Sequence, residues 1–266
     1  MPDKPKEKEK NIIGAKTDQL LLDVYSAVSF IGQFFRELVN PPFEFQAITK
    51  QCYEIGVKSL PLITLTGFIT GIVFTNQSRP SLAEFGATSW LPALIAIAIV
   101  RALAPLVTAL IAAGKVGSRI GAELSSMKVT EQIDAMEVSA TNPFKFLVVS
   151  RVVATTLMIP ILSMYNGFVA LMGSYLNIKA NEQTSIQTFF GQVFETISFL
   201  DIFSSLIKAV VFGFTIGIVG CYKGYHSTKG TEGVGNAANS SVVLAMFLIF
   251  IEEIIIVQIV NSIRFS

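Results

Sequence analysis

Charged residues are scarce in this chain, as are the side chains that most often carry catalysis or hold a metal. Asp, Glu, Lys and Arg make up 15% of its 266 residues, and it has one His, one Trp and two Cys. Neither the cysteines, Cys52 and Cys221, nor His226 has the neighbouring ligands of a metal site, so we expect free thiols and no metal or cofactor. A net charge of +1 also argues against nucleic-acid binding, which needs a basic surface.

Motifs for nucleotide or covalent chemistry are absent from the sequence as well. It contains no phosphate-binding GxxxxGK[ST] loop, no GxSxG nucleophile motif and no HExxH zinc motif. An enzyme acting on lipids would need a convergent set of nucleophile, base or metal ligands, for which the lone His226 is poor material. Any energy that the protein uses must therefore come from another chain.

Apolar residues, by contrast, are abundant. They form 52% of the chain, and the mean hydropathy is +0.59, which is outside the range of ordinary soluble domains. Five segments are apolar enough to cross a hydrocarbon core, which takes about 20 residues: 60–74, 91–113, 152–176, 202–222 and 242–260. We predict an all-α integral membrane protein with five transmembrane helices.

The N-terminal region has a different pattern. Residues 1–17 form a charged tail, and from 18 to 38 polar residues recur every three or four positions opposite a face of Leu, Val, Ile and Phe. This pattern predicts an amphipathic helix that lies in the membrane interface, and a mixed segment continues the interfacial region to residue 57. Packing of the helix against soluble protein is the alternative.

Basic residues in the loops orient the spans. One side of the predicted topology carries most of them: Lys115, Arg119, Lys128, Lys145, Arg151, Lys223 and Lys229. The other side carries Arg79, Lys179 and Arg264. Because basic loop residues are retained in the cytosol, the first group is expected to be cytoplasmic, which gives a cytoplasmic N-terminus and an external C-terminus.

The loop after the second span contains a short helical pattern. Thr130 is expected to cap its start, Glu131 and Asp134 complement the positive end of its dipole, and Ile133 and Met136 extend an apolar stripe from Val129. Such a helix suits a groove of a cytosolic partner, although lying on the membrane surface is the alternative. The residues assigned to this coupling helix are Thr130, Glu131, Gln132, Ile133, Asp134, Met136 and Glu137.

Four charged residues fall inside the predicted spans, where charge is costly and usually paired or functional. They are Arg101 in the second span, Lys208 in the fourth, and Glu252 and Glu253 in the fifth. Because Arg101 and the two glutamates lie at similar depth, an ion pair between Arg101 and one of them is geometrically possible. The four residues either hold helices together or line a path for substrate.

Small residues recur four positions apart in the spans. The pattern includes Gly67 with Gly71, Ala113 with Gly117 and Gly121, and Gly213 with Gly217. This spacing lets helix backbones approach closely in a bilayer, where lipid offers no hydrophobic drive for association. The contacts could lie within one subunit or at the seam of a dimer.

Several longer motifs occur in a fixed order. They read Arg101-Ala-Leu-Ala-Pro105, Ala113-Gly-Lys-Val-Gly-Ser118, Gly121-Ala-Glu-Leu124, Met127-Lys-Val-Thr-Glu-Gln-Ile-Asp-Ala-Met-Glu137, Asn142-Pro143, Leu206-Ile-Lys-Ala-Val-Val-Phe-Gly213, Gly220-Cys-Tyr-Lys-Gly-Tyr225 and Glu232-Gly-Val-Gly235. Together, from about residue 60 to the C-terminus, they resemble the MlaE/YrbE family of ABC transporter permeases.

This resemblance implies that the chain is one subunit of a larger transport complex. Residues 58–266 would form an MlaE-type permease domain that acts as a homodimer in the cell inner membrane, with its C-terminus in the periplasm. The partners would be two cytoplasmic ATPase subunits, an MCE-domain lipid-binding protein and a small cytoplasmic STAS-domain regulator, and the substrate class would be phospholipid. The coupling helix would be received by the ATPase. A channel or membrane scaffold without ATP coupling is the alternative function.

Overall fold

The computed structural model describes residues 6–41, 43–182, 184–228 and 230–265. Within these ranges every regular element is a helix, as the sequence predicts. The α-helices are α1 Lys6–Val39, α2 Phe45–Ile55, α3 Leu60–Glu84, α4 Leu91–Ala98, α5 Ala104–Ala112, α6 Ser118–Val129, α7 Gln132–Val138, α8 Ser150–Glu182, α9 Ile186–Thr196, α10 Phe199–Tyr225 and α11 Thr231–Phe265. Lys229, which was used to orient the spans, lies outside the described residues.

The chain divides into two compact units, and the boundary follows Phe43. The first unit consists of α1, which begins at Lys6 and therefore extends into the segment interpreted as a tail. The first five residues of that segment are outside the described ranges. Leu22, Tyr25 and Val28 on α1 are more than half exposed, so the helix keeps an apolar surface that suits a membrane interface.

The second unit contains five helical segments that are long and apolar enough to cross a membrane, which confirms the predicted number. They are Phe45–Glu84, Thr88–Val129, Phe144–Ala180, Phe199–Tyr225 and Thr231–Arg264, and are called here the first to the fifth span. Each is longer than the apolar segment read from the sequence. Hydropathy marks only the part that suits hydrocarbon, whereas the helices continue through flanking polar turns.

The third span is the centre of the second unit. It packs against α2 and α3 of the first span and against α10, and 61% of its most apolar window is buried. The corresponding share is 22% for the first span and 11% for the fifth. Most of the apolar surface of the fifth span therefore remains open to lipid or to another protein.

Close approach of these helices depends on small residues. A Cβ atom on Gly71 would collide with the carbonyl group of Ala170 in the third span, and one on Gly213 would lie 2.7 Å from the carbonyl oxygen of Thr155. Gly67, Gly117, Gly121 and Gly217 also face other helices of the same chain. Side chains at the tightest of these positions would separate the spans.

Three π-helical segments interrupt the α-helical spans. Two lie in the second span, at Ile99–Leu103 and Ala113–Gly117, and the third, Phe144–Val149, opens the third span. Such wider turns are rare and often occur at functional sites. The first of them carries Arg101.

Candidate functional site

Polar side chains on the fourth span form a row through the second unit. Asp201, Lys208 and Thr215 are seven residues apart, so they share one face of α10 at intervals of about 10 Å. Each contacts a side chain from the second or fifth span. We call this set the polar ladder, and its members are Arg101, Asp201, Lys208, Thr215, Glu252, Glu253 and Arg264.

The first rung is centred on Asp201. Its carboxylate lies 2.7 Å from Nε of Arg101 and also accepts a hydrogen bond from Arg264. The same carboxylate accepts the backbone N–H of Ser198 at 3.0 Å, and the Ser198 side chain completes a capping box at the start of α10. Helix capping thus fixes the acid to which arginines from two other spans converge.

The second rung is the Lys208 ammonium group. It donates to Oε1 of Glu253 at 2.6 Å and to the backbone carbonyl of Arg101 at 3.1 Å. The side chain of Lys208 is 4% exposed and that of Glu253 is 13% exposed. The cation therefore ties the π-helical turn of the second span to the fifth span in a site that is nearly closed to solvent.

The third rung carries no cation. Thr215 donates its hydroxyl to Oε1 of Glu252 at 2.5 Å. The other carboxylate oxygens of Glu252 and Glu253 are buried and accept no hydrogen bond from the described residues. A buried acceptor without a hydrogen bond is costly. These two oxygens can therefore accept a hydrogen bond from a polar ligand or take up a proton.

The ion pair predicted between Arg101 and Glu252 or Glu253 is wrong. Arg101 pairs with Asp201, and Glu253 pairs with Lys208. Similar depth in the bilayer does not decide which helix faces lie together, and Asp201 at the start of α10 is the nearer acid. Three members were not among the residues predicted from the sequence: Asp201, Thr215 and Arg264. The seven-residue spacing on α10 was a signal for Asp201 and Thr215.

A small cavity of about 160 Å³ lies beside the first two rungs. Its lining consists of Arg101, Ala102, Ser204, Lys208, Val257, Val260, Asn261 and Arg264. All three charged residues in this lining are basic, whereas their acidic partners, Asp201 and Glu253, are not part of it. The cavity therefore presents cationic donors beside apolar side chains.

A larger cavity, of about 700 Å³, lies where the first and second spans meet. Apolar side chains make up almost all of its lining, which is Phe74, Leu82, Ala87, Trp90, Ala93, Leu94, Ile97, Ala98 and Thr196. Trp90 is 70% exposed at its edge. A cavity with this size and lining suits hydrocarbon.

A second group of charges joins the first three spans at their other end. Arg119 lies 2.9 Å from Glu54 of the first span and 2.7 Å from Glu123 of its own helix, and Arg151 of the third span lies 3.3 Å from Glu123. Lys58 pairs with Glu54 at 2.6 Å. We call these five residues the Arg119 cluster. It ties the second span, just before the loop helix, to both neighbours.

The loop helix α7 runs from Gln132 to Val138 and differs from the prediction at its start. Thr130 does not cap it, because its hydroxyl donates to the carbonyl of Ser126 at 2.8 Å. Glu131 is the N-cap instead, with a φ of 58°. Residues other than glycine seldom adopt this left-handed conformation, so the backbone at the turn into α7 is unusual.

The two faces of α7 are unequal. Ile133 is fully buried, so one apolar side chain anchors the helix to its own chain. Val138 is 90% exposed, and Met136 is half-buried. Glu131, Gln132, Asp134 and Glu137 are exposed, and Asp134 lies 3.2 Å from Lys128. The outward face therefore consists of acidic side chains and one apolar residue, Val138.

Comparison with known proteins identifies the family to which this chain belongs. The sequence profile of the family described as Permease MlaE matches residues 48–259. The chain belongs to the MlaE permease family. It is 35% identical to a probable ABC transporter permease protein of Rickettsia typhi over 250 residues, which cover 93% of this chain and 96% of that protein.

Other organisms also carry similar proteins. A probable ABC transporter permease protein of Synechocystis is 33% identical over 228 residues, or 86% of this chain and 87% of that protein. One of Pyropia yezoensis is 35% identical over 231 residues, or 86% and 88% of the respective chains. The MlaE match includes the Arg119 cluster, α7 and all of the polar ladder except Arg264, whereas α1 lies before it.

Proposed function

We propose that this chain is the permease subunit of an ABC-type transporter that moves phospholipid between the cell inner membrane and an MCE-domain partner. The observation that carries the proposal is the small cavity beside the polar ladder, in which Arg101, Lys208 and Arg264 are the charged lining residues. Cations at membrane depth are costly, and they either pair with other charged groups, as all three do here, or mark the path of a polar substrate. A phosphate group is an anion that guanidinium and ammonium groups bind well.

Apolar surfaces near this cavity supply the rest of a phospholipid site. The fifth span exposes Phe247, Ile254 and Ile263, each by more than 60%. The 700 Å³ cavity between the first two spans adds apolar walls. Because burial of each methylene group is worth about 0.8 kcal/mol, acyl chains can bind with few polar contacts, and selectivity among headgroups is expected to be low.

The exposed fifth span also supports a homodimer. With 11% of its most apolar window buried in a single chain, it leaves a surface that a second copy can cover. Arg101, Lys208, Glu252 and Glu253 would then line the substrate path beside that seam. The small residues at Gly67, Gly71, Gly117, Gly121, Gly213 and Gly217 keep each subunit compact.

The partner ATPase is proposed to receive α7. The sequence contains no phosphate-binding loop, so nucleotide hydrolysis must take place on a separate chain. Exposed Gln132, Glu137 and Val138 provide the contact, and buried Ile133 passes the movement of α7 to its own subunit. A STAS-domain regulator would bind on the same cytoplasmic side. In this arrangement the N-terminus is cytoplasmic, the C-terminus is periplasmic, and α1 lies in the membrane interface before the permease domain.

Movement can reach the polar ladder through the second span. The Arg119 cluster ties the α7 end of this span to its neighbours, and Arg101 lies in the π-helical turn near the other end. A shift of the span would alter the contact between Lys208 and the carbonyl of Arg101. ATP binding could thereby open or close the basic cavity.

Co-purification tests the assembly and the substrate together. The chain is expressed with its genomic neighbours, purified by a tag on this subunit, and its bound proteins and lipids are identified by mass spectrometry. We expect an ATPase, an MCE-domain protein and phospholipid, and less phospholipid per folded, ATPase-bound subunit with Arg101→Gln and Lys208→Gln. Lys50→Gln, at an exposed position in the first span, is the matched control.

Two results would contradict the proposal. A folded subunit that recovers no ATPase would favour a channel or scaffold without ATP coupling. Equal phospholipid in the wild type and in both cavity variants, with the ATPase present, would remove the basic cavity from the substrate path.

A further inference from the structure

A second apolar cavity, of about 570 Å³, lies on a different side of the second span from the basic cavity. It is enclosed by the second, third and fourth spans and covered by α9. The lining is Val100, Ala104, Ser163, Met164, Gly167, Phe168, Leu171, Met172, Ile186, Phe190, Val193, Phe194, Ile197, Ile202, Ser205 and Leu206. We call it the lateral cavity. None of its lining residues is charged, and the proposed transport path does not include it.

We propose that the lateral cavity binds an acyl chain of a phospholipid from the leaflet on the α9 side of the membrane. The cavity opens between side chains that face the bilayer, because Met164 and Phe168 are each 57% exposed and Phe194 is 75% exposed. Its volume lies within the range of about 300–1,000 Å³ that ligand sites usually have. A chain from the adjacent leaflet can enter it sideways without crossing a polar surface.

The chemistry of the rim favours a flexible chain over a transmembrane helix of another protein. Helices in a bilayer associate through small residues that let their backbones come close. Here the exposed rim consists of large side chains, Met164, Phe168 and Phe194. Gly167 is not available to a helix of another protein, because it already packs against Ala104 of the same chain. A Cβ atom on Gly167 would lie 3.3 Å from the Ala104 side chain. The flexible side chain of methionine adapts readily to a hydrocarbon chain.

Lys179 supplies a charge that suits the phosphate of the same lipid. Its ammonium group lies 6.0 Å from the centre of the Tyr175 ring, and that ring is 6.4 Å from the ring of Phe190 in the cavity wall. Lys179 is exposed at the α9 end of the third span. The acidic residue of α9, Glu195, lines a different pocket, with Trp90 and Gln192.

Helix α9 is held as a fixed cover for this cavity. Ser185 caps it by accepting the backbone N–H of Thr188 at 3.1 Å. Phe189 is fully buried and lies 5.6 Å, ring to ring, from Tyr175. Because cover and walls share this aromatic core, the cavity is part of the folded subunit and not a gap between mobile segments.

Photolabelling tests the site. The full chain is reconstituted in phosphatidylcholine vesicles that contain phosphatidylglycerol with a photoreactive acyl chain, and labelled residues are located by mass spectrometry. We expect saturable labelling near Phe168 and Phe190, beyond the labelling of lipid-facing Leu157. Met172→Trp, which fills the cavity, should reduce it at least about fivefold, whereas Leu157→Trp on the exposed side of the third span should not. Lys179→Gln should reduce the preference for phosphatidylglycerol over phosphatidylcholine by about two- to fivefold.

A second measurement leaves the cavity open in case Met172→Trp disturbs folding. Phe190→Trp is placed in a Trp90→Phe background, and its quenching by a minor fraction of brominated phosphatidylglycerol is compared with that of exposed Phe203→Trp. Stronger quenching at position 190 supports an enriched site. Three results would overturn the proposal: quenching that only follows the bulk lipid fraction, labelling that Met172→Trp leaves unchanged in a folded protein, or labelling that is lost when the partner proteins assemble.

Discussion

The polar ladder and the Arg119 cluster use the same kinds of charged pairs in different surroundings. In the ladder, the side chains of Asp201 and Lys208 are 2% and 4% exposed. In the cluster, those of Arg119 and Glu123 are 34% and 37% exposed. Arg101 of the ladder is 34% exposed, however, and Arg151 of the cluster is 8% exposed. Solvent can therefore replace a lost partner of Arg119 or Glu123 but not a lost partner of Asp201 or Lys208.

This difference in exposure indicates different structural roles for the ladder and the cluster. A buried charge that loses its partner is strongly destabilising, so the ladder specifies how the second, fourth and fifth spans fit together. A half-exposed pair contributes little and can exchange partners with water as helices move. The cluster is therefore suited to the end of the second span that we propose to move with α7, and the ladder to the part proposed to receive the substrate.

Breaking the second rung of the ladder should have the largest effect. Lys208→Met leaves Glu253 buried without its cation, and we expect a loss of about 3–5 kcal/mol in the free energy of unfolding, because truncating one partner strands the other charge. Unfolding in detergent micelles measures it. The double variant Lys208→Met/Glu253→Leu should regain much of the loss, and Lys50→Met at an exposed position should change little. A single variant as stable as that control would contradict the account.

The first rung should rank next. Asp201→Asn keeps the shape of the side chain but leaves Arg101 and Arg264 without their carboxylate, and we expect a loss of about 2 kcal/mol. Ser198→Ala removes the hydroxyl that caps α10 and donates to Asp201 at 3.1 Å but leaves both arginine pairs in place, so it should cost about 1 kcal/mol in the same assay. Equal losses would mean that Asp201 acts only through helix capping.

The sequence predicted much of the fold because hydropathy records the environment of each segment directly. Five spans, an amphipathic N-terminal helix pattern and a short helix near residues 130–138 could all be read from periodicity and composition. The ends of the spans could not, because their polar outer turns resemble loops until a partner is known. Arg119 shows this, since Glu54 and Glu123 hold it in a helix that continues beyond the apolar segment.

The ladder was harder to predict because pairing depends on helix rotation. The sequence identified Arg101, Lys208 and Glu253 as costly charges. It did not show that Arg101 pairs with Asp201 or that Lys208 pairs with Glu253. Depth along each helix can be counted from the sequence, whereas the face that α10 turns toward the second span is set by packing at Gly213 and Gly217 against the third. The start of α7 was also not predicted, because Glu131 adopts a left-handed conformation that neither its residue type nor its neighbours indicate.

Salt should separate the two regions. Arg119→Gln is expected to lower the midpoint of thermal unfolding by less than about 2 °C, because Glu123 is 37% exposed and Glu54 keeps its pair with Lys58. High salt should shrink this difference further by screening, whereas the defect of Lys208→Met should persist. The measurement is thermal unfolding of both variants at low and high salt. An Arg119→Gln defect as large and as insensitive to salt as that of Lys208→Met would remove the distinction.

Helix α7 extends the comparison to a surface outside both charged regions, where the effect on stability should be smallest. Val138 is 90% exposed, so Val138→Asp should change the free energy of unfolding by no more than about 0.5 kcal/mol. The same change adds a charge to the apolar point of the proposed ATPase contact, so co-purification of the ATPase should fall sharply. Ile133→Ser is its counterpart on the buried face and should destabilise the permease itself. If Val138→Asp retains the ATPase in full while the permease remains folded, α7 is not the contact, and the Arg119 cluster loses its assigned place between partner and substrate.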